Sequence, residues 1–533
     1  MIDGAMQSYP LTLDKFLEHA AKWHPRAEVV TARGEGRVDR VGYAELLDRS
    51  QRVSAVLHGM GVRQGDKVAT LAWNTQAHVE AWYAVMGMGA VCHTLNPRLT
   101  AEQLAAMIQQ SGARVLVFSA DLAQLAQQIA GQAPDLEILL AIDGDASVGT
   151  RELEPLIEAA PGALAWGGFD ETSPSGLCFT SGTTGAPKGV TYTHRSSFLH
   201  ALRLLQADVM ALSHRDSILT VVPMFHANAW GLPFAAPAVG AKLVLPGRQA
   251  DGASLAELIR SEAVTVAVGV PTVWLGLLEH LETVGGETPS LERIIMGGAP
   301  LAPALMERIE ARLQVKVQTS WGMTELSPSG TVSPPNLPVR SAALAGRPAI
   351  GVDLLITDAN GMPLPEQRGA EGHLRVRGAA VVERYFGQQE PAAGPGGWFA
   401  TGDLARIDDD GNLMITGRAK DLIKSGGEWI NPAEIEAVVG ALPEVSQAAV
   451  IGRSDDKWGE RPILLVEMRD TAALSDDALL APLAGRVAPW WVPDEVVRLE
   501  SMPLAATGKI DKLRLRREYG ERRAPAQPQE RSA

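Results

Sequence analysis

With 533 residues, 46% of them hydrophobic and 21% charged, the chain has the composition of a globular protein large enough for about three or four domains. A formal net charge of -14 argues against a nucleic-acid partner, and it requires local basic sites to meet any anionic substrate. The two cysteines, Cys92 and Cys178, lie in apolar runs at no metal-ligand spacing, which fits reduced core thiols and a cytoplasmic location.

No basic region followed by an apolar core opens the chain, so no secretory signal is expected. The longest weakly charged stretches, 81–95 and 227–241, fall short of the ~18 apolar residues of a spanning helix, so no transmembrane segment is expected. Leu13, Phe16, Leu17, Ala20 and Ala21 recur at helical spacing up to Pro25, and a second helical pattern covers 43–57. The chain then alternates, with strands over 68–72, 90–95, 115–118 and 136–142 and helices over 77–86, 101–110 and 122–129. This regularity predicts an α/β fold with a mostly parallel, doubly wound sheet.

Next comes Thr180-Ser181-Gly182-Thr183-Thr184-Gly185-Ala186-Pro187-Lys188-Gly189. Hydroxyls and glycine N–H groups can approach an anion closely while the lysine neutralises it, so the stretch reads as a phosphate-gripping loop. It is not the common P-loop, because Pro187 precedes the lysine and β-branched and aromatic residues follow it, which favours a loop between two strands. Residue types alone leave a surface hairpin without a ligand as the alternative.

Strands are then expected over 218–222, 242–245, 264–270, 293–296 and 315–319. Three of them run into Pro223-Met224-Phe225-His226, Gly297-Gly298-Ala299-Pro300 and Ser320-Trp321-Gly322-Met323-Thr324-Glu325. Ligands bind outside the carboxyl ends of strands in open α/β sheets, so these segments should meet at one crevice. From 346 to 416 short β-like runs separated by Gly, Pro and Asp predict a small β subdomain, and the polar break Gly417-Arg418-Ala419-Lys420-Asp421 reads as a domain boundary. The remainder reads as an α+β unit: a capped helix start at Asn431-Pro432-Ala433-Glu434, strands over 447–451 and 462–466, a helix over 477–487, and a Gly-bearing loop over 502–512. The tail 521–533 is expected to be disordered.

Six separated segments, 180–189, 223–226, 320–325, 398–403, 417–421 and 503–509, stand in the order and composition of one family. Over nearly its whole length the chain resembles the adenylate-forming superfamily of acyl-CoA synthetases, luciferases and peptide-synthetase adenylation domains. That resemblance implies residues 1–418 holding ATP and the acid (β subdomain about 341–416) and a mobile domain over 419–520 with Lys420 as hinge. It also implies acid plus ATP giving an acyl-adenylate and pyrophosphate, then CoA giving the thioester and AMP.

By the same resemblance, Thr180, Ser181, Gly182, Thr183, Thr184, Gly185 and Lys188 hold the β- and γ-phosphates. Glu325 holds Mg2+, which needs only one or two protein carboxylates when phosphates supply the rest. Gly298, Ala299, Pro300, Ser320, Trp321, Gly322, Met323 and Thr324 border the nucleotide, and Asp403 with Arg418 takes the ribose. Lys509 offsets charge where carboxylate meets α-phosphorus. Lys424, Gly426, Gly427, Glu428 and Trp429 serve the CoA half-reaction, and His226 joins the catalytic set. Two departures stand out: Trp321 occupies a position that is often tyrosine, and His373 replaces a common glutamate and is given no catalytic role.

The acid pocket is expected from Phe225, His226, Trp230, Val270, Gly298, Trp321 and Gly322, which carry no Lys, Arg, Asp or Glu, favouring an apolar acid tail. Pro223-Met224-Phe225-His226-Ala227-Asn228-Ala229-Trp230-Gly231 resembles the segment of bacterial medium- and long-chain fatty-acyl-CoA synthetases and methylthiopropionate-CoA ligases. The favoured substrates are short- to medium-chain fatty or thioether acids, with long-chain or aryl acids as the alternative. A luciferase-like oxygenase, a kinase or ATPase, and a nucleotide sensor are the competing classes. A homodimeric state and a carrier-protein acceptor are left open.

Overall fold

The computed structural model describes residues 4–145, 147, 149–180, 187–469, 474–505 and 509–521. The described residues fall into two compact units, one within Met1–Leu301, Met306–Leu354 and Val376–Phe399, the other within Ala302–Leu305, Leu355–Arg375 and Ala400–Ala533. The first unit is the expected α/β assembly. A nine-stranded sheet runs in the order Arg347–Pro348, Ser329–Val332, Lys316–Gly322, Arg293–Met296, Val266–Gly269, Ser217–Thr220, Lys242–Leu245, Glu28–Gly34, Arg37–Gly42. A seven-stranded sheet runs Arg151–Glu152, Ile138–Ile142, Val115–Ser119, Lys67–Leu71, Val91–Thr94, Pro174–Phe179, Gly189–Thr193.

Both sheets are parallel in their interiors, and their central strands are buried over their whole length, as sheets covered on both faces require. The expected helices form at Asp14–Trp23, Tyr43–Gly59, Gln76–Gly87, Ala101–Ser111 and Ala123–Ala130. Thr100 and Gln103 close a capping box at the fourth of these. Cys92 and Cys178 are free and buried.

Two features of this unit were not foreseen. Glu28–Gly34 and Arg37–Gly42 form an antiparallel hairpin that pairs in parallel with Lys242–Leu245, adding an edge to the larger sheet. Ala227–Gly231 is a turn in which Ala227, Asn228, Ala229 and Trp230 all have positive φ, at 45°, 54°, 47° and 53°. Left-handed backbone costs about 1–2 kcal/mol per non-glycine residue, so tight packing has to hold this turn, and all five residues are buried.

The second unit carries a sheet in the order Glu428–Ile430, Ile423–Ser425, Gly459–Met468, Val445–Asp455, with Val496–Leu499 pairing in parallel on Gly459–Met468. The helix Pro432–Gly440 starts as read from sequence: Asn431 Oδ1 accepts the Ala433 N–H at 3.2 Å, and proline occupies the first turn. The helix expected over 477–487 stops early. It spans Asp476–Leu480 and gives way to a 3-10 turn at Ala481–Leu483, because Pro482 lacks an N–H and Gly485 adopts φ 72°. Lys512–Tyr519 is a helix capped by Asp511, where no element was expected beyond the loop. The tail beyond Glu521 lies outside the described residues. Among the described residues no helix is long and apolar enough to cross a membrane.

Candidate active site

In the first unit the strands Ser217–Thr220, Val266–Gly269, Arg293–Met296 and Lys316–Gly322 are consecutive neighbours in parallel register. Their carboxyl ends therefore share one edge, and the segments that follow them, from Pro223, Val270, Gly297 and Met323, are brought together there. Ser320 Oγ donates to Met296 O at 3.0 Å, tying two of these ends. Gly297 has no room for a side chain: a Cβ there would collide with Ser320 Oγ and lie 3.1 Å from Trp230 Cη2. Gly298 has φ 80°, and a Cβ on it would stand 3.5 Å from Val270 and 3.8 Å from Trp230. Trp230 thus lies along the paired glycines, with Val270 beside it. Phe225 is buried and meets Trp73 edge-on.

Trp321 is buried and packs over Gly330. Gly322 packs against the Pro328 carbonyl, and Met323 N donates to that oxygen at 3.0 Å. His226 opens the left-handed turn, with its N–H on the Pro223 carbonyl at 3.0 Å. Ala299 and Pro300 are half-buried and exposed in the loop after Gly298.

Glu325 follows in a short 3-10 turn, Thr324–Leu326, and is 8% exposed. Its backbone carbonyl accepts the Val382 N–H at 2.8 Å, and its Oε1 accepts the Tyr385 hydroxyl at 2.9 Å. Burial and the neighbouring carboxylate push the Tyr385 hydroxyl's pKa up, which keeps it protonated as a donor. The Lys188 ammonium stands 4.8 Å above the Tyr385 ring. Tyr192 donates to the Thr324 carbonyl at 2.8 Å, linking the two sheets at this corner.

The phosphate loop is suspended on the antiparallel pair Pro174–Phe179 and Gly189–Thr193, the strand exit expected from sequence. Thr180 N donates to Lys188 O at 2.9 Å across its base. Ser181, Gly182, Thr183, Thr184 and Gly185 lie outside the described residues. Tyr385, which joins Lys188 to Glu325, was missed in the sequence reading.

In the second unit Asp403 and Arg418 face each other across the antiparallel strands Phe399–Ile407 and Leu413–Arg418. Arg418 Nε bonds Asp403 Oδ1 at 2.7 Å, and the Asp403 side chain is only 2% exposed. Thr401 Oγ1 accepts the Asp403 N–H at 3.1 Å and donates to Leu374 O at 2.9 Å, fixing the turn that presents the carboxylate.

Lys509 belongs to the same charge cluster. Burial and the Arg418 guanidinium hold its pKa down to about 8, with Asp403 acting in the opposite sense and Lys420 adding to the depression. Burial also lowers Lys420, partly offset by Asp421, which pairs with Arg516 at 2.8 Å. Lys424, Gly426, Gly427, Glu428 and Trp429 form the exposed hairpin joining Ile423–Ser425 to Glu428–Ile430, with Gly426 and Gly427 at φ 59° and 93°. Trp429 lies 5.5 Å from the Lys424 ammonium. In the second unit Asp403, Arg418, Lys420 and Lys509 share one charge cluster, and the Lys424–Trp429 hairpin is a separate exposed feature.

Comparison with known proteins bears on the family and the fold. Residues 17–386 match the family described as AMP-binding enzyme, and 434–509 match the AMP-binding enzyme C-terminal domain. The chain is 40% identical to a 3-methylmercaptopropionyl-CoA ligase of Ruegeria lacuscaerulensis, over 97% of this chain and 98% of that protein. It is also 40% identical, over the same shares, to a medium-chain-fatty-acid–CoA ligase of Ectopseudomonas oleovorans. Among solved structures, ATP-bound MatB from Rhodopseudomonas palustris superposes with a TM-score of 0.86 at 27% identity, covering 96% of this chain and 99% of that one.

Proposed function

The chain belongs to the AMP-binding enzyme family, and from that premise we propose that it is an ATP-dependent acyl-CoA synthetase acting on short- to medium-chain fatty or thioether acids in the cytoplasm. The carboxylate attacks the α-phosphorus of ATP, giving acyl-adenylate and releasing pyrophosphate. The CoA thiolate then attacks the acyl carbon, giving the thioester and AMP. The observation that carries the reading is the shared cluster of Lys509, Arg418 and Asp403, which sets an ammonium beside a ribose-type carboxylate although the sequence separates them widely.

Each residue has a physical task in this reading. Asp403, held by Arg418, accepts the ribose hydroxyls. Lys509 brings positive charge to the point where two anions meet, an interaction worth most in the transition state. Lys188 and the loop from Thr180 grip the leaving pyrophosphate.

Glu325 fits a Mg2+ site. Tyr385 engages one of its oxygens and leaves the other to a cation, and among the described residues no cluster of three or more His, Cys, Asp or Glu forms a separate cage. When bound, Mg2+ would neutralise phosphate charge. Trp230, Gly298, Val270 and Trp321 shape an apolar wall, which supports an uncharged acid tail at that point. The same reading makes Lys420 the hinge between 1–418 and 419–520, with the hairpin at Lys424–Trp429 serving the thiol step.

The test is acid-dependent ATP–pyrophosphate exchange across straight-chain, thioether and aryl acids, followed by CoA-dependent AMP release. Exchange that is strongest with short- to medium-chain or thioether acids is the expected result. Formation of ADP, or oxygen uptake without CoA, would overturn it.

A further inference from the structure

Behind the left-handed turn lies a buried cation that has no counter-ion among the described residues. Arg203, on the helix His194–Leu204, is 7% exposed, and its Nη2 has no hydrogen-bond partner. Among the described residues no carboxylate pairs with it, and burial alone holds the guanidinium's pKa down to about 10, far too high for it to lose its charge near neutrality.

One turn earlier, His200 is 1% exposed. Its Nε2 accepts the Ser329 N–H at 3.2 Å, so the neutral ring carries its proton on Nδ1. That Nδ1 also has no hydrogen-bond partner. Among the described residues, two buried donors, one of them charged, therefore lack an acceptor. Both line one cavity of about 10 Å³, whose other lining residues are Leu204, Val209, Ser329, Gly330, Val332 and Ala349.

The space is that of about one water-sized particle. Water would satisfy the donors but leave the charge uncompensated. A multiply charged oxyanion would not fit. We propose that this cavity is a binding site for one small, singly charged anionic group, seated on the Arg203 guanidinium and the His200 Nδ1–H.

That size selects a free halide over a three-atom carboxylate. The site adjoins the candidate acid pocket without belonging to its predicted residues. A Cβ on Gly231 would sit 2.7 Å from His200 Nδ1, and Gly330 carries the Trp321 ring. The anion would thereby brace both tryptophan walls from behind.

The experiment is thermal unfolding of the full chain without ATP, titrating chloride or bromide against gluconate at constant ionic strength, for the wild type and Arg203→Met. Halide should raise the wild-type Tm by about 2 °C and leave Arg203→Met flat. In halide-free buffer Arg203→Met should be the more stable of the two, since it removes an uncompensated buried charge, and the gap should close as halide rises. Crystals grown in bromide should show anomalous density on Arg203. A Tm response to a dicarboxylate but not to halide would overturn the proposal, because the cavity has no room for a carboxylate. Identical responses of both proteins to halide would overturn it as well. The measurement does not depend on adenylation, so failure there and failure here are separable.

Discussion

Glu325 and Lys509 are the two residues on which the proposed chemistry turns, and they are held in opposite ways. Glu325 is fixed by geometry: it follows a strand of the larger sheet, its carbonyl is bonded by Val382 and its carboxylate by Tyr385. Lys509 is half-buried, and among the described residues no hydrogen bond or ion pair fixes its ammonium; its surroundings act through charge, from Arg418, Asp403 and Lys420. The metal-side residue should therefore respond to changes of shape and local bonding. The lysine side should respond to changes of charge and pH.

The largest effect expected from this contrast is at Lys509. Lys509→Ala should lower acid-dependent ATP–pyrophosphate exchange by about 10²–10³-fold, the scale of losing one transition-state donor, while a preformed acyl-adenylate is still converted to thioester at close to the wild-type rate. Equal loss of both half-reactions would break the division. Acetylation of Lys509 removes the same charge and should reproduce the substitution.

A smaller effect is expected on the geometric side. Tyr385→Phe deletes a hydrogen bond to a carboxylate while keeping the ring under the Lys188 ammonium, and bonds of that kind contribute about 1.5–3 kcal/mol. Adenylation should fall by about ten- to a hundredfold and need more Mg2+, with the pH profile unchanged. A shifted pH profile with the Mg2+ requirement intact would erase the distinction between the two sites.

The two sites were not equally legible in the sequence. Alternation of strands and helices gave the parallel sheets, and strand-end motifs pointed to one crevice shared by His226, Gly298, Thr324 and Glu325, because topology follows from local pattern. Tyr385 was invisible, since its bond to Glu325 crosses sixty positions and nothing near residue 385 announces it. The left-handed turn was equally hidden: Ala227, Ala229 and Trp230 have no intrinsic liking for positive φ, and only the surrounding burial enforces it. Asp403 and Lys509 were readable as motif residues, whereas their meeting around Arg418 is a tertiary fact. The unpaired charge of Arg203 could not be read either, because an arginine on an amphipathic helix looks the same whether its partner exists or not.

The smallest but most discriminating expectation concerns pH. In the proposed mechanism the ammonium form of Lys509 is the one that offsets charge, so adenylation should be sustained below about pH 8 and lost as pH rises through that value. Arg418 is, after burial, the main cause of the depressed pKa, and Asp403 opposes it. Arg418→Gln should therefore move the alkaline limb upward, though not as far as the ordinary lysine value, because burial remains. Asp403→Asn should move it downward. Both variants should also lower the rate through the proposed ribose contacts, so the readout is the position of the limb in ATP–pyrophosphate exchange rather than its height. Opposite displacements from two members of one ion pair can arise only if the titrating group lies within reach of both. A limb that stays at the wild-type pH in both variants would show that Lys509 does not set it, and the charge-controlled side of the comparison would then have to be sought elsewhere in the second unit.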